Sequence, residues 1–146
     1  MCGGVEISGK YTKTGEQLKI YFPNPRAALP VLSVSDEVIW VPWGRRREQP
    51  GKGPQGGWAR LSSVEEGKWM KYGPTRVRIP ASSFMEKDES KVSHWFDLDA
   101  GQALEGLVIG EGDQQRVYVI TTEAIDDQAW VHDQWPLLCS QNWLQA

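Results

Sequence analysis

Short runs rich in β-branched and aromatic residues recur along the chain, separated by Gly and Pro, which predicts many short strands and turns rather than long helices. Residues 19–22 and 38–43 read as strands, with Pro23, Pro25 and Pro30 marking an extended connection between them. Residues 45–57 (RRREQPGKGPQGG) are Gly, Pro and charge with no hydrophobic period, hence a loop, and 57–64 is extended or opens a short helix. The stretch 76–86 predicts a strand entering and leaving a turn, broken at Pro80. Residues 93–98, 104–110 and 116–121 are further strands, with 110–115 (GEGDQQ) a hairpin loop. Thr122 offers an N-cap for a short helix over 123–129, with acids early where the helix dipole favours them, and 140–144 suits a last helical turn. The expected fold is α+β and β-rich: mostly antiparallel strands in a barrel-like or sandwich body with short helices, one domain over 1–146.

Composition narrows the setting. No apolar run approaches the roughly 18 residues of a membrane span. The start MCGGVEISGK lacks the basic and apolar regions of a secretory signal, and Cys2 and Cys139 at opposite ends suggest no disulfide framework, so a cytoplasmic, reducing setting is expected. Net charge is −3, yet residues 44–80 carry nine Lys/Arg against three acids, a local +6 in a chain otherwise at −9. Such a patch can steer a polyanion, although a solvated face of mixed loops reads the same way. Eight Trp is a high count. Most suit a core, while one or two in a basic groove, with Trp43 and Trp58 flanking the loop, would stack bases.

Cys2 is the first candidate for chemistry. Removal of Met1 leaves a free α-amine beside the thiol, with ordinary pKa values near 8 and 8.5, so both groups have a reactive fraction at neutral pH. Such a 1,2-aminothiol condenses with an aldehyde to an imine, and the thiol closes a five-membered thiazolidine. The same thiol is also suited to acyl transfer. For proton transfer there are two histidines: His132, in the polar and aromatic segment WVHDQWP, and His94, an ordinary strand residue. Glu86 closes the largely uncharged IPASSFME stretch, where partial burial would raise its pKa towards acid–base work. No His/Cys cluster has metal-ligand spacing, so no metal and no cofactor is expected.

Several segments, taken in order, resemble the SRAP family (SOS response-associated peptidase-like proteins). Met1-Cys2-Gly3 is similar to the family's MCGR start, Trp43-Gly44 to its WG pair, and Ala59-Arg60 to the end of its NAR segment. Residues 76–86 (RVRIPASSFME) resemble RCLIPADGFYE, 119–124 (VITTEA) resemble ILTTEA, and 132–136 (HDQWP) resemble HDRMP. The resemblance spans nearly the whole chain. It implies an abasic-site sensor of single-stranded DNA that removes Met1 autoproteolytically and crosslinks through Cys2. In that reading Glu86 assists Met1 removal and proton transfer, His132 acts on the ring-opened sugar, and Arg60 and Arg76 hold phosphates, with Arg78, Trp58 and Trp43 completing the DNA surface of a monomer. The chain departs from the family at Gly4 and Gln134, where the family has Arg, and at Trp58, where it has Asn. The catalytic positions are kept while DNA-gripping groups are lost. Two alternatives stand: a non-catalytic nucleic-acid or protein binding module on the same fold, and a cysteine hydrolase acting only on its own N-terminus. The catalytic reading requires Cys2, Glu86 and His132 to converge on one cleft, with Arg60, Arg76, Arg78 and some of Arg45–Arg47 at its border and Trp58 over the Cys2 pocket.

Overall fold

The computed structural model describes residues 3–32, 35, 37–124 and 134–141. Its strands form two sheets. In the first, β1 (Gly4–Ile7) lies between β2 (Leu18–Tyr21) and β7 (Ala81–Lys87), with β8 (Ser93–Asp97) outside β7, all antiparallel. The second runs β11 (Gln134–Pro136), β10 (Arg116–Glu123), β9 (Gln102–Ile109), β6 (Thr75–Ile79), β3 (Ala28–Leu32), β4 (Val38–Pro42). Beside that path, β12 (Leu138–Ser140) pairs with β9, and β5 (Trp58–Arg60) pairs with β10 in parallel. The fold is therefore β-rich with one antiparallel and one mixed sheet, and the barrel-like alternative is corrected: the sheets are open, not a closed barrel.

Pro80 separates β6 in the second sheet from β7 in the first, so the predicted break is where the chain changes sheets. The alternation in β9 and β10 explains their continuous apolar character. Leu104, Val108, Val117 and Val119 enter the main core, while Leu107, Ile109, Tyr118 and Ile120 pack from the opposite face against Ala59 and Trp69. A sheet covered on both faces has no polar side to alternate with.

Four expectations need correction. Pro30 is not in a connection but inside β3, opposite Trp40 of β4. It is tolerated because among the described residues β3 meets β6 only at Leu32↔Arg78, beyond Pro30, so the proline's missing donor interrupts no described pair on that side. Thr122 is no N-cap, since β10 continues through Glu123, where β11 pairs with it (Thr122↔Trp135, Glu123↔Gln134). Ala124 is not helical either, and residues 125–129 of the expected helix lie outside the described residues. Ser140 ends β12 rather than opening a helical turn, because the extended backbone finds partners along β9 (Ser140↔Gln102). Residues 4–7, not expected as a strand, form β1 at the centre of the first sheet. The 57–64 stretch is both things expected of it: β5 runs directly into a helix, α1 (Leu61–Glu65).

The loop 45–57 is tied down despite its composition. Arg45 and Gly56 exchange backbone hydrogen bonds, Tyr118 donates its hydroxyl to the Pro54 carbonyl at 2.7 Å, and Trp43 Nε1 donates to the Gly57 carbonyl at 3.0 Å. Gly57 is held so closely that a Cβ would sit 2.7 Å from both Phe22 Cδ1 and Trp43 Nε1.

Candidate functional site

The site begins where β1 enters the first sheet. Gly4 faces Met85 across the ladder, and Gly3 is anchored on both sides: its N–H donates to the Met85 carbonyl at 2.9 Å and its carbonyl accepts from the Phe22 N–H at 3.2 Å. Cys2 lies outside the described residues. In the sequence it is bonded directly to this anchored nitrogen.

The next residue of β7 is Glu86. Strand alternation puts Phe84 and Glu86 on the core face and Met85 and Lys87 on the other. Glu86 is 0 % exposed, and burial pushes its carboxyl up to about 7. Across the ladder stands His94, whose Nε2 lies 2.8 Å from Asp88 Oδ2. The Asp88 carboxyl is held below its usual range by that contact first and by the Val92 and Ser90 backbone N–H groups after it. His94 thus has an acid partner of its own in the β7–β8 hairpin.

Beside the anchored Gly3 opens a hollow of about 430 Å³ lined by Gly3, Tyr21, Phe22, Trp58, Met85 and Lys87, with Pro23 at its rim. Trp58 is half-buried here, its ring 4.8 Å from that of Phe22 and 6.2 Å edge-on to Trp43. Tyr21 packs over Gly4, where a Cβ would come within 3.1 Å of the tyrosine ring. The space beside Gly4, where a side chain would stand, is therefore occupied by the Tyr21 ring.

Arg60 follows Trp58 by two residues on β5 and so shares its outward face, while Ala59 points into the core. Exposed Arg60 lines a second hollow of about 270 Å³ with Ser62, Glu65, Thr121, Glu123 and Gln134. Thr121 Oγ1 donates to Gln134 Oε1 at 3.3 Å. His132 lies outside the described residues, two positions before Gln134. In the described strand that follows, Trp135 packs edge-on against Phe84 at 5.2 Å and Phe96 at 4.7 Å. Phe84 precedes Glu86 by two positions on the same face, so Trp135 docks on the side of the first sheet that carries the buried acid.

Of the expected site residues, Trp58 borders the hollow that starts at Gly3 and Arg60 borders the neighbouring one, while Glu86 lies between Met85 and Lys87 of the first hollow's wall in sequence but turns its side chain to the core face. Convergence of all three catalytic candidates concerns Cys2 and His132, which lie outside the described residues. Two of the expected DNA contacts are corrected. Trp43 is 0 % exposed, its one donor given to Gly57, and it belongs to the core. Arg78 is 3 % exposed and donates through Nη1 to the Gln141 carbonyl, which makes it a fastening inside the fold. Arg76 is exposed but paired with Glu105 at 2.9 Å. Arg46 is drawn against the Phe22 ring at 4.0 Å and donates to the Trp43 and Phe22 carbonyls, while Arg45 faces a separate cavity. Tyr21, Met85 and Lys87 were not expected at the site. The signal available for Met85 and Lys87 was strand alternation around Glu86.

Among the described residues no cluster of three His, Cys, Asp or Glu is placed to hold a metal, and no helix is long and apolar enough to cross a membrane. Compared with protein-family models and with curated protein sequences, the chain matches none.

Proposed function

We propose that the chain is a sensor of abasic sites in single-stranded DNA that links itself covalently to the lesion through Cys2 once Met1 has been removed. The observation that carries this reading is the anchored Gly3 beside a buried carboxyl: the amide nitrogen following Cys2 is bonded to Met85, and the adjoining Glu86 is held at a pKa of about 7 by burial. A group at that pKa is populated in both protonation states at neutral pH, as a proton shuttle requires. The Cys2 amine adds to the aldehyde carbon of the ring-opened deoxyribose and one water leaves, giving an imine. The Cys2 sulfur then adds to that carbon and its proton passes to the imine nitrogen, closing the thiazolidine. Glu86 carries the protons of dehydration and closure, and His132 serves the ring-opened sugar. Trp58 offers a flat face for a neighbouring base, and Arg60 a charge for a phosphate, on one side of β5.

Intact-mass measurement of the purified chain, before and after incubation with an abasic oligonucleotide, tests the reading. Loss of one methionine and a DNA adduct that survives denaturation are expected, both absent in Cys2→Ala. Binding that is non-covalent in the native chain and unchanged in Cys2→Ala would replace the sensor by a binding module.

A further inference from the structure

A larger cavity, of about 760 Å³, is formed by residues outside both hollows, among them Arg45, Lys52, Lys71, Arg116, Tyr72 and Glu111. Four cations meet there with one acid. Among the described residues none of the four is ion-paired. The two arginines are instead oriented by main-chain carbonyls. Arg45 donates from Nε to Gly53 at 2.7 Å and from Nη1 to Gln49 at 3.1 Å, and Arg116 donates to Gly44 at 3.1 Å and Pro50 at 3.3 Å. A guanidinium has five donors, so each keeps donors beyond those used on the loop. Arg116 also stands near Arg46, whose pKa is lowered by burial and by that like charge. The cavity lining thus carries four positive charges against the single negative charge of Glu111.

The wall is preformed. A Cβ on Gly53 would lie 2.6 Å from Ile109 Cδ1 and 2.7 Å from the Tyr118 hydroxyl, so the loop lies directly on β9 and β10 without a gap. Ile109 and Tyr72 add apolar and aromatic surface to the charged lining, and the cavity's volume is in the range of small-ligand sites. We propose that this cavity is a second binding site, for a phosphate-bearing ligand of nucleotide size, with Arg45 and Arg116 as fixed phosphate donors and Lys52 and Lys71 as mobile ones. The phosphate has two sources: a free nucleotide, or a nucleotide of a DNA strand extending beyond the Cys2 site.

Amide spectra of the full ¹⁵N-labelled chain, titrated separately with inorganic phosphate, ADP and an undamaged single-stranded oligonucleotide, test it. The glycine amides of Gly51, Gly53, Gly73 and Gly110 report on this cavity, and that of Gly3, with Gly4 beside it, on the hollow at the start of β1. Phosphate and ADP are expected to shift the first group and leave the second in place, and Lys52→Gln/Lys71→Gln should weaken the response about tenfold. Both lysines are exposed, so the fold is retained, and abasic-site crosslinking should be unchanged in the double variant where the ligand is a free nucleotide. Shifts in the first group with the oligonucleotide alone, still weakened in the variant, assign the phosphate to a strand. No shift in the first group with any of the three probes, or affinity unchanged in the double variant, overturns the site.

Discussion

Gly3 donates its N–H to the carbonyl of Met85 at 2.9 Å, so the peptide that follows Cys2 is bonded to the residue before the buried Glu86. If Glu86 moves the protons, Glu86→Gln should keep that anchoring and lose the chemistry. The expected outcome is a fall of about 10²–10⁴-fold in the crosslinking rate, the usual worth of a positioned acid–base group, with retained Met1 in the intact mass. Gel quantification of crosslink formation over time checks the rate.

The same carboxyl makes stability depend on pH. Its folded pKa, about 7, is above the ordinary 4.5, so the native state binds more protons than the unfolded one between these values. The contribution is fully present below pH 4.5 and is lost as pH rises through 7. At pH 8 the ionised, buried carboxylate costs about 3 kcal/mol, at roughly 1.36 kcal/mol per pKa unit. Urea unfolding of Glu86→Gln should therefore show higher stability than the native chain at pH 8 and a flatter profile between pH 5 and 8.

In the proposed function Trp58, half-buried at the hollow beside Gly3 with its ring 4.8 Å from that of Phe22, stacks a base. Trp58→Ala should weaken single-stranded DNA binding by about 1–3 kcal/mol, the worth of one stacked base. Trp58→Asn should restore part of the crosslinking through amide hydrogen bonds in place of stacking. Fluorescence anisotropy with an undamaged oligonucleotide separates the binding effect from the chemistry.

Arg60 and Arg78 should respond oppositely although both lie in the basic stretch. Arg60→Gln is expected to leave unfolding unchanged and to reduce the salt dependence of binding by about 0.7 in log–log slope, one phosphate's worth on a single strand. Arg78→Gln removes a buried donor to Gln141 and should destabilise the chain by about 1–3 kcal/mol. Thermal melts and salt titrations of the two variants check the contrast.

Local pattern was enough for the β-rich class, for the strand break at Pro80 and for β5 passing into α1, because steric preference and side-chain period act within a few residues. It was also enough to mark Glu86, an acid closing an uncharged run, as a candidate for burial. It did not separate Arg60 from Arg78 or Trp58 from Trp43. In each pair the residue type and neighbourhood are alike, and the difference is whether another element covers the face on which the side chain stands. Nor did it show β3 through Pro30, or β10 continuing past Thr122, since a strand's permission to hold proline or to outrun a helix cap depends on which edges find partners. The loop 45–57 is the clearest case. Its composition reads as solvated, and only the packing of Gly53 on Ile109 and Tyr118, with Arg45 and Arg116 holding its carbonyls, turns it into the wall of a cavity. Alternation along a strand assigns side chains to two faces, but long-range contacts alone decide which face meets water.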